Sequence, residues 1–206
     1  MKKLNLAMMA VSAMASMVSL AHADDISLGM PGYGGTGCPD GTVSATLSPD
    51  SKTLSLIFDQ YVAEAGGTTG RRLDRKNCQI AIPVHVPQGY SFSIIDMDYR
   101  GYNSLPAGAS SQFNVEYFLA YPGSPARGSR YSKSFTGPLD QEYLVQNQLG
   151  LEATVWSPCG TDVNLRTTTS MVATSNRRGD QTMATVDSID AKAGVIYSLQ
   201  WRKCSR

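Results

Sequence analysis

The chain has 206 residues, of which 17% are charged, and a formal net charge of +1 at pH 7. This near-neutral balance argues against nucleic acid or an anionic membrane surface as the main partner. The length is sufficient for one domain with a sizeable core, and no apolar run after the N-terminal one is long enough to span a bilayer.

The first 23 residues have the organisation of a signal peptide. Lys2 and Lys3 form the charged start, residues 6–20 are apolar, and Ala21-His22-Ala23 places small residues at the cleavage site. We therefore expect residues 1–23 to be removed. The product would be a secreted protein, extracellular or periplasmic, with no membrane span.

Residues 24–37 form a Gly-rich segment that we expect to be either an ordered lead-in or a flexible arm. One domain is predicted over residues 38–206. Its apolar residues recur with a period of two, which is typical of strands. The first hairpin is predicted from two alternating runs around the turn Ser48-Pro49-Asp50-Ser51, namely Val43, Ala45 and Leu47 before it and Leu54, Leu56 and Phe58 after it.

Seven further strands are predicted, over residues 78–86, 90–102, 113–121, 154–156, 163–174, 182–186 and 195–202. Pro83 lacks an N–H group, so we expect its strand to lie at a sheet edge or to carry a bulge. Segments 60–65 and 139–146 are interpreted as short helical turns. Many short strands separated by Gly, Pro and Asp turns predict an all-β fold, an antiparallel β-sandwich or jelly-roll-like single domain.

The four cysteines, Cys38, Cys78, Cys159 and Cys204, are expected to form disulfides because an exported protein enters an oxidising space. A metal or redox site is disfavoured because the chain has no Cys-x-x-Cys motif. Of the three connectivities, we favour the sequential one, because each bridge would then join a cysteine beside Gly or Pro to a strand end. Each bridge would close a loop of ~40–45 residues, worth about 4 kcal/mol in the chain-entropy model.

A set of short motifs falls in a recognisable order along the chain. They are Thr36-Gly37-Cys38-Pro39, Arg75-Lys76-Asn77-Cys78, Pro87-Gln88-Gly89-Tyr90, Asp98-Tyr99-Arg100-Gly101-Tyr102, Trp156-Ser157-Pro158-Cys159-Gly160, Val186-Asp187-Ser188-Ile189-Asp190 and Trp201-Arg202-Lys203-Cys204. Together they resemble domain of unknown function family 4360, which comprises small secreted proteins of fungi and bacteria. The resemblance implies export, one domain and two disulfides, and it implies no reaction, substrate or catalytic residue.

A candidate ligand-binding group lies in the predicted strand 90–102. In a regular strand Asp96, Asp98 and Arg100 point to the same side, on a face that begins as apolar. Two carboxylates and a guanidinium could bind a sugar, a peptide carboxylate or a cation. The alternative is a salt bridge at the rim of the sandwich. Tyr99 and Tyr102, with Tyr121 and Tyr131 elsewhere, lie near Gly- and Pro-rich loops and are candidates for stacking on a sugar.

Two weaker candidates lie towards the C-terminus. Asp187 and Asp190 could hold Ca²⁺ at a turn, although the full calcium-loop pattern is missing and turn capping by Asp is the commoner role. Trp156 and Trp201 would lie near the second disulfide, either as core residues or as a stacking platform.

The sequence contains no motif that assigns a reaction. His85 is the single histidine after the signal peptide, and neither a nucleophile elbow nor a zinc, phosphate-loop or dinucleotide motif is present. We therefore expect a non-catalytic secreted protein without a cofactor that binds an extracellular polymer, a glycan or a protein partner. The alternatives are a glycan hydrolase with paired carboxylates and a structural protein of the surface or envelope.

Overall fold

The computed structural model describes residues 27–49, 53–124, 128–148, 156–186 and 195–204. This part of the chain contains thirteen strands, one 3-10 turn at Gly67–Thr69 and no α-helix. The strands are β1 (Ser27–Leu28), β2 (Gly32–Gly34), β3 (Val43–Leu47), β4 (Thr53–Phe58), β5 (Val62–Ala65), β6 (Leu73–His85), β7 (Tyr90–Leu105), β8 (Ser110–Ala120), β9 (Ser129–Thr136), β10 (Leu139–Gln148), β11 (Val163–Thr174), β12 (Thr182–Thr185) and β13 (Val195–Lys203). The predicted all-β class is confirmed. The predicted signal peptide lies outside the described residues.

The strands form two antiparallel sheets. Sheet A has the order β1-β6-β11-β8-β9, with β2 also paired to β6. In sheet B, strand β7 is central: β10 pairs with one of its edges, and β13 and β12 pair with successive stretches of the other. Strands β4 and β3 continue the sheet beyond β13, and β5 continues it beyond β12. No helix in the described part of the chain is long and apolar enough to cross a membrane.

The core lies between the two sheets and follows the predicted alternation. In β6 the side chains of Cys78, Ile80, Ile82 and Val84 are buried, while the residues between them face outward. Strand β8 shows the same period of two, with Phe113 fully buried. Its ring lies 4.8 Å from that of Tyr99 of sheet B, between ring centroids, so aromatic packing joins the sheets. The predicted hairpin is also confirmed, since β3 pairs with β4.

Both disulfides are present with the sequential connectivity. Cys38 and Cys78, 5.4 Å apart between Cα atoms, are fully buried and tie the N-terminal segment to β6. Cys159 and Cys204, 6.1 Å apart between Cα atoms, tie the segment before β11 to the end of β13. The Cys204 N–H donates to the Gly89 carbonyl at 2.8 Å. The last strand is therefore held at its end by a covalent bond and a backbone hydrogen bond.

The expectation that Pro83 marks an edge strand or a bulge was wrong. Strand β6 lies inside sheet A, with β11 along one side. Pro83 pairs with Asn164 of β11 without a break in register. On the other side β6 is covered only by the two short strands β1 and β2, and Pro83 falls between their stretches of pairing. There its carbonyl accepts the Gly29 N–H at 2.8 Å. The missing proline donor therefore costs the sheet little.

The two predicted helical turns were also wrong. Residues 62–65 form β5, and residues 139–148 form β10, which pairs with β7 over ten residues. In β10, Tyr143 and Val145 are buried and alternate with exposed residues, as a half-buried strand requires. Strand β9 was not predicted. It is an edge strand of mostly exposed Ser, Lys and Arg residues, which carry no apolar alternation.

Candidate functional site

A register shift in β7 decides which residues of the predicted ligand-binding group face solvent. Leu199 of β13 pairs with Ile94 and the preceding Ser198 pairs with Asp96, so one residue of β7 is extra at this point. Such a bulge exchanges the inward and outward sides of the strand beyond it. Phe92 before the bulge and Tyr99 after it are accordingly both fully buried, although one has an even and the other an odd position. The charged residues that follow therefore do not continue the apolar face.

Tyr99 is not a surface residue, which corrects its prediction as a ligand-binding candidate. It is fully buried against Phe113. Asp98, Arg100 and Tyr102 lie on the outer face of sheet B, where none of the three is buried. Asp96 pairs through its backbone with Gln148 and Ser198, and its side chain lies outside the described part of the structure.

The alternative for this group was a salt bridge from Arg100 to Asp98 or Asp96. The bridge to Asp98 is not formed, and the one to Asp96 involves a side chain outside the described part of the structure. The Arg100 Nε atom is buried and has no hydrogen-bond partner among the described residues. Arg100 pairs across the sheet with Leu144, a half-exposed apolar residue.

Tyr102 is engaged by a neighbouring carboxylate. Its hydroxyl donates to Asp140 Oδ1 at 2.5 Å. This bond holds the pKa of Asp140 below its usual range, helped by Ser104, and raises the pKa of Tyr102. A ligand that used the Tyr102 hydroxyl would have to compete with Asp140.

The remaining predicted candidates are placed as follows. Asp187 and Asp190 lie outside the described residues, and within the described part no three His, Cys, Asp or Glu side chains are grouped to hold a metal ion. The Arg202 guanidinium carbon lies 4.1 Å from the centre of the Trp156 ring and covers one face of it. Trp201 packs against the core. His85 is paired with Asp162, 2.8 Å between Nδ1 and Oδ1.

A polar groove on the outer face of sheet A was not predicted. Because strand side chains alternate, the residues of β6, β11, β8 and β9 that do not enter the core point outward here. The register brings Asn77, Ser170, Asn114 and Ser132 into one row across these four strands. A second row, formed by Gln79, Thr168, Glu116 and Arg130, lies beside it.

Hydrogen bonds join three members of the first row to one another, and Asn77 bonds to Thr36 instead. Asn114 donates through Nδ2 to Ser170 Oγ at 3.4 Å and accepts the Ser132 hydroxyl at Oδ1 at 2.8 Å. The Arg75 guanidinium also donates to Ser170 Oγ, at 3.3 Å. At the β6 end of the row Thr36 donates its hydroxyl to Asn77 Oδ1 at 2.7 Å. These bonds fix the orientation of the amide and hydroxyl groups before any ligand arrives.

The groove has a volume of about 720 Å³ and is lined by the first row and by three members of the second, Thr168, Glu116 and Arg130, with Arg75 and Thr36 at the β6 end. Its single acidic lining residue within the described part is Glu116, which is paired with Arg130 at 3.0 Å. Arg75 has no carboxylate partner among the described residues. The groove is therefore rich in neutral donors and acceptors and carries one uncompensated cation.

Part of this groove could be predicted from the sequence. In the predicted strand 113–121, Asn114 and Glu116 alternate with Phe113, Val115 and Tyr117, and the period of two predicts an outward position for both. The row could not be assembled, because alternation within a strand does not tell which strands are neighbours, and because β9 gave no apolar signal.

Comparisons with known proteins give a family and no activity. The family model described as "Domain of unknown function (DUF4360)" matches residues 24–204. A curated relative from Arthroderma benhamiae, described as an uncharacterized secreted protein, is 38% identical over 174 residues, which are 84% of this chain and 69% of the relative. The solved structure of TmCBM61 in complex with β-1,4-galactotriose matches 84% of this chain and 88% of its own, at 9% identity and a TM-score of 0.28. A match at that score carries no inference about a ligand.

Proposed function

The chain is a secreted member of the DUF4360 family, and we propose that it is a non-catalytic protein that binds an extracellular glycan in the groove of sheet A. The observation that carries this proposal is the row of polar side chains Asn77, Ser170, Asn114 and Ser132, the last three of them joined by hydrogen bonds, in a groove of about 720 Å³. Sugar hydroxyls donate and accept hydrogen bonds, and side-chain amides and hydroxyls do both as well. A surface of this composition is suited to a neutral or weakly acidic glycan.

The fixed geometry of the row supports a binding role. Side chains that are already ordered by mutual hydrogen bonds lose little conformational entropy when a ligand binds. The Arg75 guanidinium at one end adds a charged donor with no competing carboxylate among the described residues.

The lining favours binding over hydrolysis. Glycosidases place two carboxyl groups about 5–9.5 Å apart across the scissile bond. Among the described residues that line the groove, Glu116 is the one carboxylate, and its charge is neutralised by Arg130. The groove also supports a binding role over a purely structural one, for which a flat and closed surface is expected.

A second face is a candidate for the same function. Asp98, Arg100 and Tyr102 on the outer face of sheet B remain a proposed ligand-binding group. The buried Arg100 Nε atom, which has no partner among the described residues, is the observation that favours this face. Because this atom is buried, an acceptor on a glycan or a protein partner would pair with it only after the Arg100 side chain moved.

The test is binding of the purified, oxidised protein to soluble glucan, galactan, xylan and mannan and to insoluble chitin and cellulose, with product release assayed in the same samples. Arg75→Ala and Arg100→Ala form a matched pair, because each removes one guanidinium from the outer face of a different sheet. We expect Arg75→Ala and Asn114→Ala to weaken binding at least about tenfold, and Arg100→Ala to leave it within about twofold.

The opposite pattern, with loss in Arg100→Ala alone, would move the site to sheet B. Release of reducing sugars by the wild-type protein would contradict the non-catalytic proposal. If the wild-type protein bound none of the glycans in the panel, the glycan proposal as a whole would be contradicted.

A further inference from the structure

A concentration of arginines lies at one end of the sandwich, away from both outer faces. The connection from β5 to β6 carries Arg71 and Arg72, and the connection from β11 to β12 carries Arg177 and Arg178. Both connections cross between sheet A and sheet B, and they do so side by side. The four arginines line one concavity of about 340 Å³, which we call the arginine cradle.

The backbone of the cradle is fixed by direct bonds between the two connections. The Gly67 N–H donates to the Gly179 carbonyl at 2.8 Å, and the Ser175 N–H donates to the Arg72 carbonyl at 3.0 Å. Gly66 has a φ of 71°, and a Cβ atom there would lie 2.2 Å from the Asp180 carbonyl oxygen, so only glycine permits this approach. The arginines are therefore carried on loops held in place.

Buried Asn176 fixes the second connection internally. Its Oδ1 accepts the N–H groups of Arg178 and Asp180, both at 3.1 Å, while its Nδ2 donates to the Ala107 carbonyl and to the Asp180 carboxylate. Asp180 is thus held by Asn176. The residues that line the cradle include no carboxylate within the described part of the chain.

The charges of the cradle are only partly compensated. Arg71 pairs with Asp74 at 3.2 Å, and Arg178 lies 3.8 Å from Asp180. Asp74 is shared further with Lys76, at 3.9 Å. Arg72 and Arg177 are exposed and have no ion pair among the described residues. One uncompensated guanidinium therefore remains on each connection.

We propose that the arginine cradle binds an acidic polysaccharide, through carboxylate or sulfate groups that reach Arg72 and Arg177 together. Guanidinium groups form two parallel hydrogen bonds with such anions, and these charge-assisted bonds are among the strongest available at a surface. A polymer with repeated charges can pair with two arginines on separate loops at once. A single small anion in an open concavity is less suited to bridging both arginines. This site does not depend on the groove of sheet A.

The experiment compares polygalacturonate and dextran sulfate with neutral dextran at low salt, using the full oxidised protein. Arg72→Gln/Arg177→Gln is the test variant. Lys133→Gln/Lys203→Gln removes the same charge from two exposed residues elsewhere and is the matched control. We expect the test variant to lose at least about tenfold in affinity for one or both acidic polymers, and the control to stay within about twofold.

The two acidic polymers distinguish carboxylate from sulfate recognition, and inorganic sulfate as a competitor measures how much a free anion contributes. Equal loss in both double variants would show general charge attraction and overturn the proposal. Absence of wild-type binding to both acidic polymers, or binding no tighter than to neutral dextran, would overturn it as well.

Arg75→Ala separates this site from the groove. If that variant keeps the affinity for the acidic polymers while Arg72→Gln/Arg177→Gln loses it, the cradle proposal is supported whatever the neutral glycans show. If both variants keep it, the cradle proposal fails. If Arg75→Ala loses that affinity while Arg72→Gln/Arg177→Gln keeps it, the acidic polymer binds in the groove and the cradle proposal fails.

Discussion

Gly101 of β7 leaves no room for a side chain. A Cβ atom there would lie 2.1 Å from the Thr185 carbonyl oxygen and 2.5 Å from the Tyr143 hydroxyl oxygen, which donates to that same carbonyl at 2.7 Å. The added methyl group would break this buried hydrogen bond or push β12 away. We expect Gly101→Ala to lower the free energy of unfolding by about 3 kcal/mol, measured by denaturant unfolding.

The matched control is Gly34→Ala in the edge strand β2, where a Cβ atom meets nothing within 4 Å. The control should leave stability nearly unchanged. Equal stability of the two variants would mean that the packing of β7 against Tyr143 is looser than described.

The hydrogen bond between Tyr102 and Asp140 gives a second prediction at the scale of the residue. In the folded protein this bond lowers the pKa of Asp140, so its contribution to stability is present above the unfolded-state pKa and is lost as pH falls through the folded-state value. Tyr102→Phe should raise the pKa of Asp140 towards its ordinary value, observed by carboxyl-carbon NMR titration. Tyr131→Phe is the control, and an unchanged Asp140 pKa in Tyr102→Phe would refute the assignment.

At the scale of the element, the two disulfides close loops of similar length in different surroundings. The sequence separations are 40 and 45, so the entropic contributions should be nearly equal, at about 4 kcal/mol each. Cys38 and Cys78 are both fully buried, whereas Cys159 is exposed. Cys38→Ala/Cys78→Ala should therefore destabilise the protein more than Cys159→Ala/Cys204→Ala, because it also removes buried packing. Thermal unfolding of the two variants measures the order, and the reverse order would contradict this reasoning.

The elements also show how far the sequence leads. Strands with apolar alternation on one side, such as β6 and β8, could be predicted with their inward residues, because burial on one face leaves a period of two. Strand β9 could not, because an edge strand with little buried surface has no such pattern. The outward position of Arg100 could not be predicted for another reason. It depends on one extra residue in β7 opposite β13, and this bulge is a property of the strand pairing and not of either strand alone. The groove of sheet A likewise depends on which strands are neighbours.

At the scale of the whole molecule, the two bridges close loops that do not overlap, so their contributions should add. Together they are worth about 8 kcal/mol in the chain-entropy model, against a total stability of about 5–15 kcal/mol for a typical domain. The fully reduced chain should therefore be marginally stable at best. We expect the denatured and reduced protein to refold only when an oxidant is supplied, and the denatured but oxidised protein to refold on dilution, both followed by circular dichroism. A reduced chain that regained the native spectrum would show that the core between the two sheets is sufficient without the bridges.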